Sequence, residues 1–232
     1  MNLALMASLA LLAGSLGNAA RAGTPYTETV VCPVDGRSFT YTATASYSTF
    51  GRALDGKPHA SWIMPLPLPQ CPDSRFPVYR TDFSADEQAR IRALVETPEY
   101  KAIKDEASYY VLWFVLGRMG EEGEGVDALW PLVKATWQVS DDPERYAHYV
   151  GQLTPLMDAA LEPLRASQPA DWWYLQLVLA NLARQSGDFE GATARLVALD
   201  GTPPDVGDLV QRLDMTRGLI ASRDRSLATP RD

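Results

Sequence analysis

Cys32-Pro33-Val34-Asp35-Gly36 and Cys71-Pro72-Asp73-Ser74 are the stretches on which the reading of this chain turns. They contain both cysteines of the 232-residue sequence, and each opens a similar turn. Short extended runs surround them. Beyond the second turn, from Ser84 onward, the pattern is helical almost to the end.

Upstream of the first turn, Tyr26-Thr-Glu-Thr-Val-Val31 favours a strand. Downstream of it, Phe39, Tyr41, Ala43, Ala45 and Tyr47 alternate with Thr40, Thr42, Thr44 and Ser46, the period-two pattern of a half-buried strand. Asp55-Gly56 marks a turn. Pro65-Leu66-Pro67-Leu68-Pro69 excludes helix and favours an extended path, read as a rigid strap laying its leucines on the core rather than as a ligand for a proline-recognising domain. Phe76 to Tyr79 reads as a further short strand.

The helical part begins with a capping box, Ser84-Ala-Asp-Glu87. Thr97-Pro98-Glu99 starts a second helix, continued at helical spacing by Tyr100, Ile103, Ala107, Tyr110, Val111, Phe114 and Val115. Gly117 to Gly125 reads as a mobile acidic loop that lacks the ligand spacing of a calcium site. Val126, Leu129, Trp130, Val133 and Trp137 define an amphipathic helix expected to fold back on the preceding one. Asp142-Pro143 starts another, which Pro155 is expected to break or kink. Around Gly187, the placing of Ala180, Phe189, Ala192, Leu196 and Pro204 looks like a tetratricopeptide unit: small residues for close helix approach, Gly for the turn, Pro to end the second helix. Gln176 and Ala183 depart from it where Trp and Tyr are expected. Val206 to Ala221 reads as a following helix.

Residues 1–22 read as a secretory signal, with an apolar run from Leu3 to Leu16 and a small–x–small site at Ala20-Arg21-Ala22. About 14 apolar residues are too few for a membrane helix, which needs roughly 20. The net charge of −8 argues against nucleic acid as a partner. The mature protein is therefore expected to be exported, in the periplasm if the source has two membranes.

Cys32-Pro33 with Gly36, Cys71-Pro72, the strand ending at Tyr79 and the helices after Ser84 resemble a bacterial family of unknown function. That family joins a zinc-ribbon-like N-terminus, built on Cys-Pro-x-Cys-Gly turns, to a tetratricopeptide-like helical half. The resemblance covers roughly residues 28–200, and with the residue patterns it gives a mainly α fold with a small N-terminal β/loop module at 23–82 and helical hairpins at 83–222, while the polar residues 223–232 read as a disordered tail. It carries over no catalytic residues. The second cysteine of each knuckle is replaced, by Asp35 and by Ser74. Two thiols do not build the usual four-ligand zinc cage. An exported protein with two cysteines favours a Cys32–Cys71 disulfide, and the resemblance implies that the two turns already lie close. Closing a loop of about 40 residues stabilises by about 3–4 kcal/mol on the loop-entropy model. The alternative is a mixed zinc site from Cys32, Asp35, His59 and Cys71.

No catalytic constellation is visible. Neither Gly-x-Ser-x-Gly, His-Glu-x-x-His nor Cys-x-x-Cys occurs. His148 reads as a structural residue of its helix, and Trp113, Trp130, Trp137, Trp172 and Trp173 as packing rather than a ligand groove. The leading expectation is a non-enzymatic module that binds another envelope protein or a peptide, since stacked hairpins expose extended concave surfaces. A zinc-binding protein and a hydrolase whose site only the fold assembles are the alternatives.

Overall fold

The computed structural model of the chain describes residues 23–199 and 203–230, and the expected signal at 1–22 lies outside the described residues. Strand β1 (Pro25–Val31) pairs antiparallel with β2 (Ser38–Thr44), Pro25 facing Thr44 and Val31 facing Ser38. The Cys32 turn joins them. Phe39, Tyr41 and Ala43 are half-buried and Thr40 and Thr42 exposed, so the period-two pattern holds within β2, but the strand ends at Thr44 and Ala45 and Tyr47, expected on the same face, are exposed.

A second antiparallel pair, β3 (Thr49–Arg52) and β4 (Pro58–Ala60), brackets the Asp55-Gly56 turn, where Gly56 has φ 84°. These strands carry no sequence signal because they are short and β3 is exposed along its whole length. Phe76–Tyr79, expected as a strand, makes one isolated bridge, Gln70 to Pro77. Proline there has no N–H to extend a ladder. The Pro65–Pro69 strap lies on the helices: Leu68 packs on the main core and Tyr109 Oη donates to Leu66 O at 3.0 Å.

Nine helices follow among the described residues, α1 (Ala85–Val95), α2 (Pro98–Ile103), α3 (Ser108–Met119), α4 (Trp130–Gln138), α5 (Pro143–Leu161), α6 (Leu164–Ser167), α7 (Pro169–Ser186), α8 (Phe189–Ala198) and α9 (Leu209–Ala221). The Ser84 box closes as expected, with Glu87 N–H donating to Ser84 Oγ at 3.3 Å and Ser84 N–H to Glu87 Oε2 at 2.7 Å. The helix expected from Tyr100 to Leu116 is instead two. Ala107 is extended (ψ 139°), and its N–H donates to Tyr149 Oη at 3.1 Å while Arg145 holds Glu106 at 2.8 Å. Contacts from α5 thus override a continuous helical pattern. Pro155 does not end α5, which runs through it to Leu161.

Two apolar cores form. Val30, Cys32, Cys71, Phe76 and Val78 of the β module share one with Ile91, Val95, Tyr100, Val111 and Val115 of α1–α3. The other gathers α3 to α9 around Leu132, Leu153, Leu177 and Leu182. A boundary at residues 82–83 therefore does not divide the packing.

The tail expected to be disordered from residue 223 is held by hydrogen bonds at Asp224, Ser226 and Ala228. Arg184, fully buried, donates through Nη1 to the carbonyls of Asp224 and of Ser226, the latter at 3.0 Å. Leu54 N–H donates to Ala228 O at 2.8 Å. The acceptors in these bonds are backbone carbonyls, which the polar composition of the tail does not report. Arg212, also buried, ties α9 to β3 through Ala53 O (3.0 Å) and Arg52 O (3.2 Å).

Candidate functional site

The two cysteine turns close with the same hydrogen bonds. Cys32 N–H donates to Arg37 O at 2.9 Å, and Gly36 N–H returns to Cys32 O at 2.8 Å; Cys71 N–H donates to Phe76 O at 2.9 Å, and Arg75 N–H returns to Cys71 O at 3.0 Å. The fifth residue of each turn is left-handed, Gly36 at φ 74° and Arg75 at φ 60°. Asp35 Oδ1 accepts Arg37 N–H at 3.0 Å, and Ser74 Oγ accepts Phe76 N–H at 3.4 Å. Asp35 and Ser74 thus occupy equivalent places.

Cys32 and Cys71 are disulfide-bonded, with Cα atoms 5.4 Å apart and both side chains buried. Arg37 bridges Asp35 and Asp73 on the surface over the pair. The Arg37 backbone N–H, and then its guanidinium, hold the Asp35 carboxyl below its usual range. The four candidate zinc ligands are not gathered: both sulfurs are in the disulfide, Asp35 faces Arg37, and His59 sits on β4 with its ring 5.7 Å from that of Phe50. Among the described residues no group of three His, Cys, Asp or Glu side chains is placed to hold a metal ion. In the acidic loop after Gly117, Glu121 takes a hydrogen bond from Tyr79 Oη at 3.0 Å and an ion pair from Arg80 at 3.1 Å.

His148 is exposed on α5, with Nε2 3.2 Å from Gln152 Nε2. Trp137, Trp172 and Trp173 are buried, and Trp113 and Trp130 pack on the same core.

A concave surface lies elsewhere. Helix α7 packs against both α5 and α8, and the three line an open trough of about 680 Å³. Ala147, Gly151, Thr154, Pro155 and Asp158 come from α5; Gln176 and Ala183 from α7; Asp188, Gly191, Ala194, Arg195 and Ala198 from α8 and its cap. Most are small. A β-carbon on Gly151 would meet no atom within 4 Å. At the far end Arg195 grips Asp158 with two bonds of 2.8 and 2.9 Å and Gln176 Oε1 with a third of 3.0 Å. At the other end Asp188 is exposed, and its Oδ1 caps α8 through Gly191 N–H at 2.8 Å. Of these residues the sequence singled out only Pro155, Gln176 and Ala183, and those for helix geometry rather than as a site. The available signal was a stripe of small residues at helical spacing, from Ala147 through Gly151 to Pro155, on the exposed face of an amphipathic helix.

Compared with known proteins, the chain matches no protein-family model, no curated protein and no solved structure. Its class is therefore defined by the molecule itself: a mainly helical protein with a small two-sheet N-terminal β module and one disulfide. No helix among the described residues is long and apolar enough to cross a membrane.

Proposed function

We propose that this is an exported peptide-binding protein whose site is the α5–α7–α8 trough. The observation that carries the reading is that Gly151 and Pro155, two residues unfavourable inside a helix, sit on the exposed trough face of α5, where a β-carbon on Gly151 would meet no atom within 4 Å. Glycine there costs about 1 kcal/mol relative to alanine, and interior proline about 3 kcal/mol. At Gly151 no packing compensates the cost, which supports a requirement for open space beside the helix.

The lining from Ala147 to Asp158 spans roughly 16 Å at 1.5 Å per residue, room for about five residues of extended chain. Small walls admit a peptide backbone closely, and Gln176 offers a side-chain amide to it. Arg195 is neutralised by Asp158, whereas Asp188 has no ion pair among the described residues. With a net charge of −8, the protein favours a peptide carrying Lys or Arg among small aliphatic residues. The successive packing of α5, α7, α8 and α9 supports a tetratricopeptide-like arrangement of these helices. The matched Cys32 and Cys71 turns, with Asp35 and Ser74 in equivalent places, support descent from a pair of zinc knuckles in which a disulfide took over from the metal. Export rests on the sequence of residues 1–22, and the disulfide is compatible with it.

The test is selection of a displayed random heptapeptide library on the oxidised protein and on Ala194→Trp, which fills the trough from an exposed position. Enriched peptides should carry a basic residue, bind with Kd of about 1–100 µM and lose at least about tenfold on the variant. Peptides that bind both proteins equally, or no enrichment, would overturn the reading.

A further inference from the structure

A separate cleft of about 390 Å³ opens between the β3–β4 hairpin, the proline strap, α3 and α4. Much of its wall is aromatic. Tyr47 comes from the approach to β3, Tyr109 from α3, and Trp130 and Trp137 from α4, their ring centroids 6.4 Å apart at 56°. Pro65 and Leu66 close one side, so the strap that stood out in the sequence for its prolines is a wall of this cleft.

The charge in it is of one sign. Arg52 of β3 and Lys134 of α4 line the cleft, and no Asp or Glu does. Neither cation forms an ion pair among the described residues, although the protein carries a net charge of −8. Arg52 Nη1 reaches the carbonyl of Gly56 at a long 3.4 Å, and Lys134 Nζ stands 5.4 Å from the Tyr109 ring centroid, within cation–π range. Lys134 is half-buried, and that burial pushes its ammonium below the usual range with no acid beside it to offset the shift. Trp137 is 4% exposed, and its Nε1–H is buried with no hydrogen-bond partner among the described residues. Its Cζ2, on the same edge of the indole, lies 3.7 Å from where a β-carbon on Gly56 would stand. The N–H edge of Trp137 and the Arg52 guanidinium therefore both lie beside Gly56.

A half-buried ammonium without a counter-charge gains more from an anion than a solvated one does, because the surrounding dielectric is low. The donors here, an ammonium, a guanidinium and an indole N–H, are met by a group that only accepts, and a carboxylate is the organic group that does so with charge. The aromatic walls set the remainder of the molecule, since their faces and edges pack best on another flat ring. The volume corresponds to on the order of a dozen water-sized groups, one or two fused rings with a short acidic arm, and falls within the roughly 300–1,000 Å³ of small-molecule sites.

We infer that the cleft between the β3–β4 hairpin and α4 is a binding site for a small aromatic carboxylic acid, its carboxylate on Lys134 and Arg52 and its ring among Tyr109, Trp130 and Trp137. The site shares no lining residue with the trough and does not depend on the peptide reading.

The experiment is calorimetric titration of the oxidised full chain with benzoate, phenylacetate, 4-hydroxybenzoate and indole-3-acetate singly. The matching neutral amides, acetate and inorganic phosphate serve as comparisons. At least one aromatic acid should saturate the protein with Kd below about 1 mM, and its amide, acetate and phosphate should each bind at least about tenfold more weakly. Lys134→Gln should weaken the acid by at least about tenfold. Arg52→Gln, at an exposed position whose side chain makes one long hydrogen bond, should weaken it severalfold and keeps the test open if the Lys134 variant does not fold. Ala194→Trp, which fills the trough, should leave the affinity unchanged. No saturation by any aromatic acid at about 10 mM would overturn the inference. So would an amide, acetate or phosphate binding as tightly as the acid, affinity unchanged in Arg52→Gln, or affinity lost in Ala194→Trp.

Discussion

Replacing both cysteines by alanine should remove about 4 kcal/mol of stability. The bond closes a sequence separation of 39 residues. The loop-entropy model gives about 13 cal/mol/K for a loop of that length, or about 4 kcal/mol at room temperature. Alanine is the appropriate replacement because both positions are buried, and serine would add two hydroxyls without partners. For a chain of this size, each kcal/mol moves Tm by about 2–4 °C, so the fall should be about 8–16 °C. It should be followed by circular dichroism at 222 nm, with urea unfolding in parallel. Urea should show a lower midpoint, and the helical signal at low temperature should be retained, because α4–α9 have their own core. A fall under about 3 °C would refute the reasoning: the unfolded chain would then already hold the two turns together, leaving the bond little entropy to remove.

Other expectations follow from the same contacts. Deleting residues 223–232 strips two carbonyl acceptors from the buried Arg184 and should cost about 3 kcal/mol or more in urea unfolding, whereas the same deletion in an Arg184→Met background should cost much less. Equal losses in both backgrounds would contradict the pinning role. Gly151→Ala should raise stability by about 1 kcal/mol, since its β-carbon meets nothing; a loss would show hidden packing at the trough. The Glu87 carboxyl is pushed down from 4.5 to about 2 by the Ser84 backbone N–H and then by Arg80 and the Ser84 hydroxyl. A depressed carboxyl stabilises the fold above its unfolded value and loses that contribution as pH falls through the folded one. Tm should therefore fall between pH 4.5 and about 2, and Glu87→Gln should flatten part of that decline. A decline of unchanged steepness in the variant would place the acid sensitivity elsewhere.

The elements legible in the sequence were those set by local chemistry. Ser84 and Thr97 cap α1 and α2 as their motifs imply, Gly187 ends α7 in the left-handed conformation, and Asp55-Gly56 turns the chain. What was not legible came from distant contacts. The break before α3 exists because Tyr149 and Arg145 of α5 take up Ala107 and Glu106. The tail is ordered because a buried arginine on α7 needs carbonyls that composition cannot assign. Strands β3 and β4 have too little buried surface to leave a pattern. The trough was equally silent, because small residues on an exposed helix face read as ordinary surface until α5 and α8 are seen to flank α7.

The backbone that a bound peptide protects tests the trough most directly. Hydrogen exchange by mass spectrometry should be recorded for the oxidised protein alone and with a saturating, selected basic peptide. Slowed exchange confined to residues 147–158 of α5 and 188–198 of α8, with the Cys32 and Cys71 turns unchanged, is the predicted result. Protection concentrated instead around Val126, Trp130, Leu164 and Gln168, which line a separate surface pocket, would contradict the trough as the site.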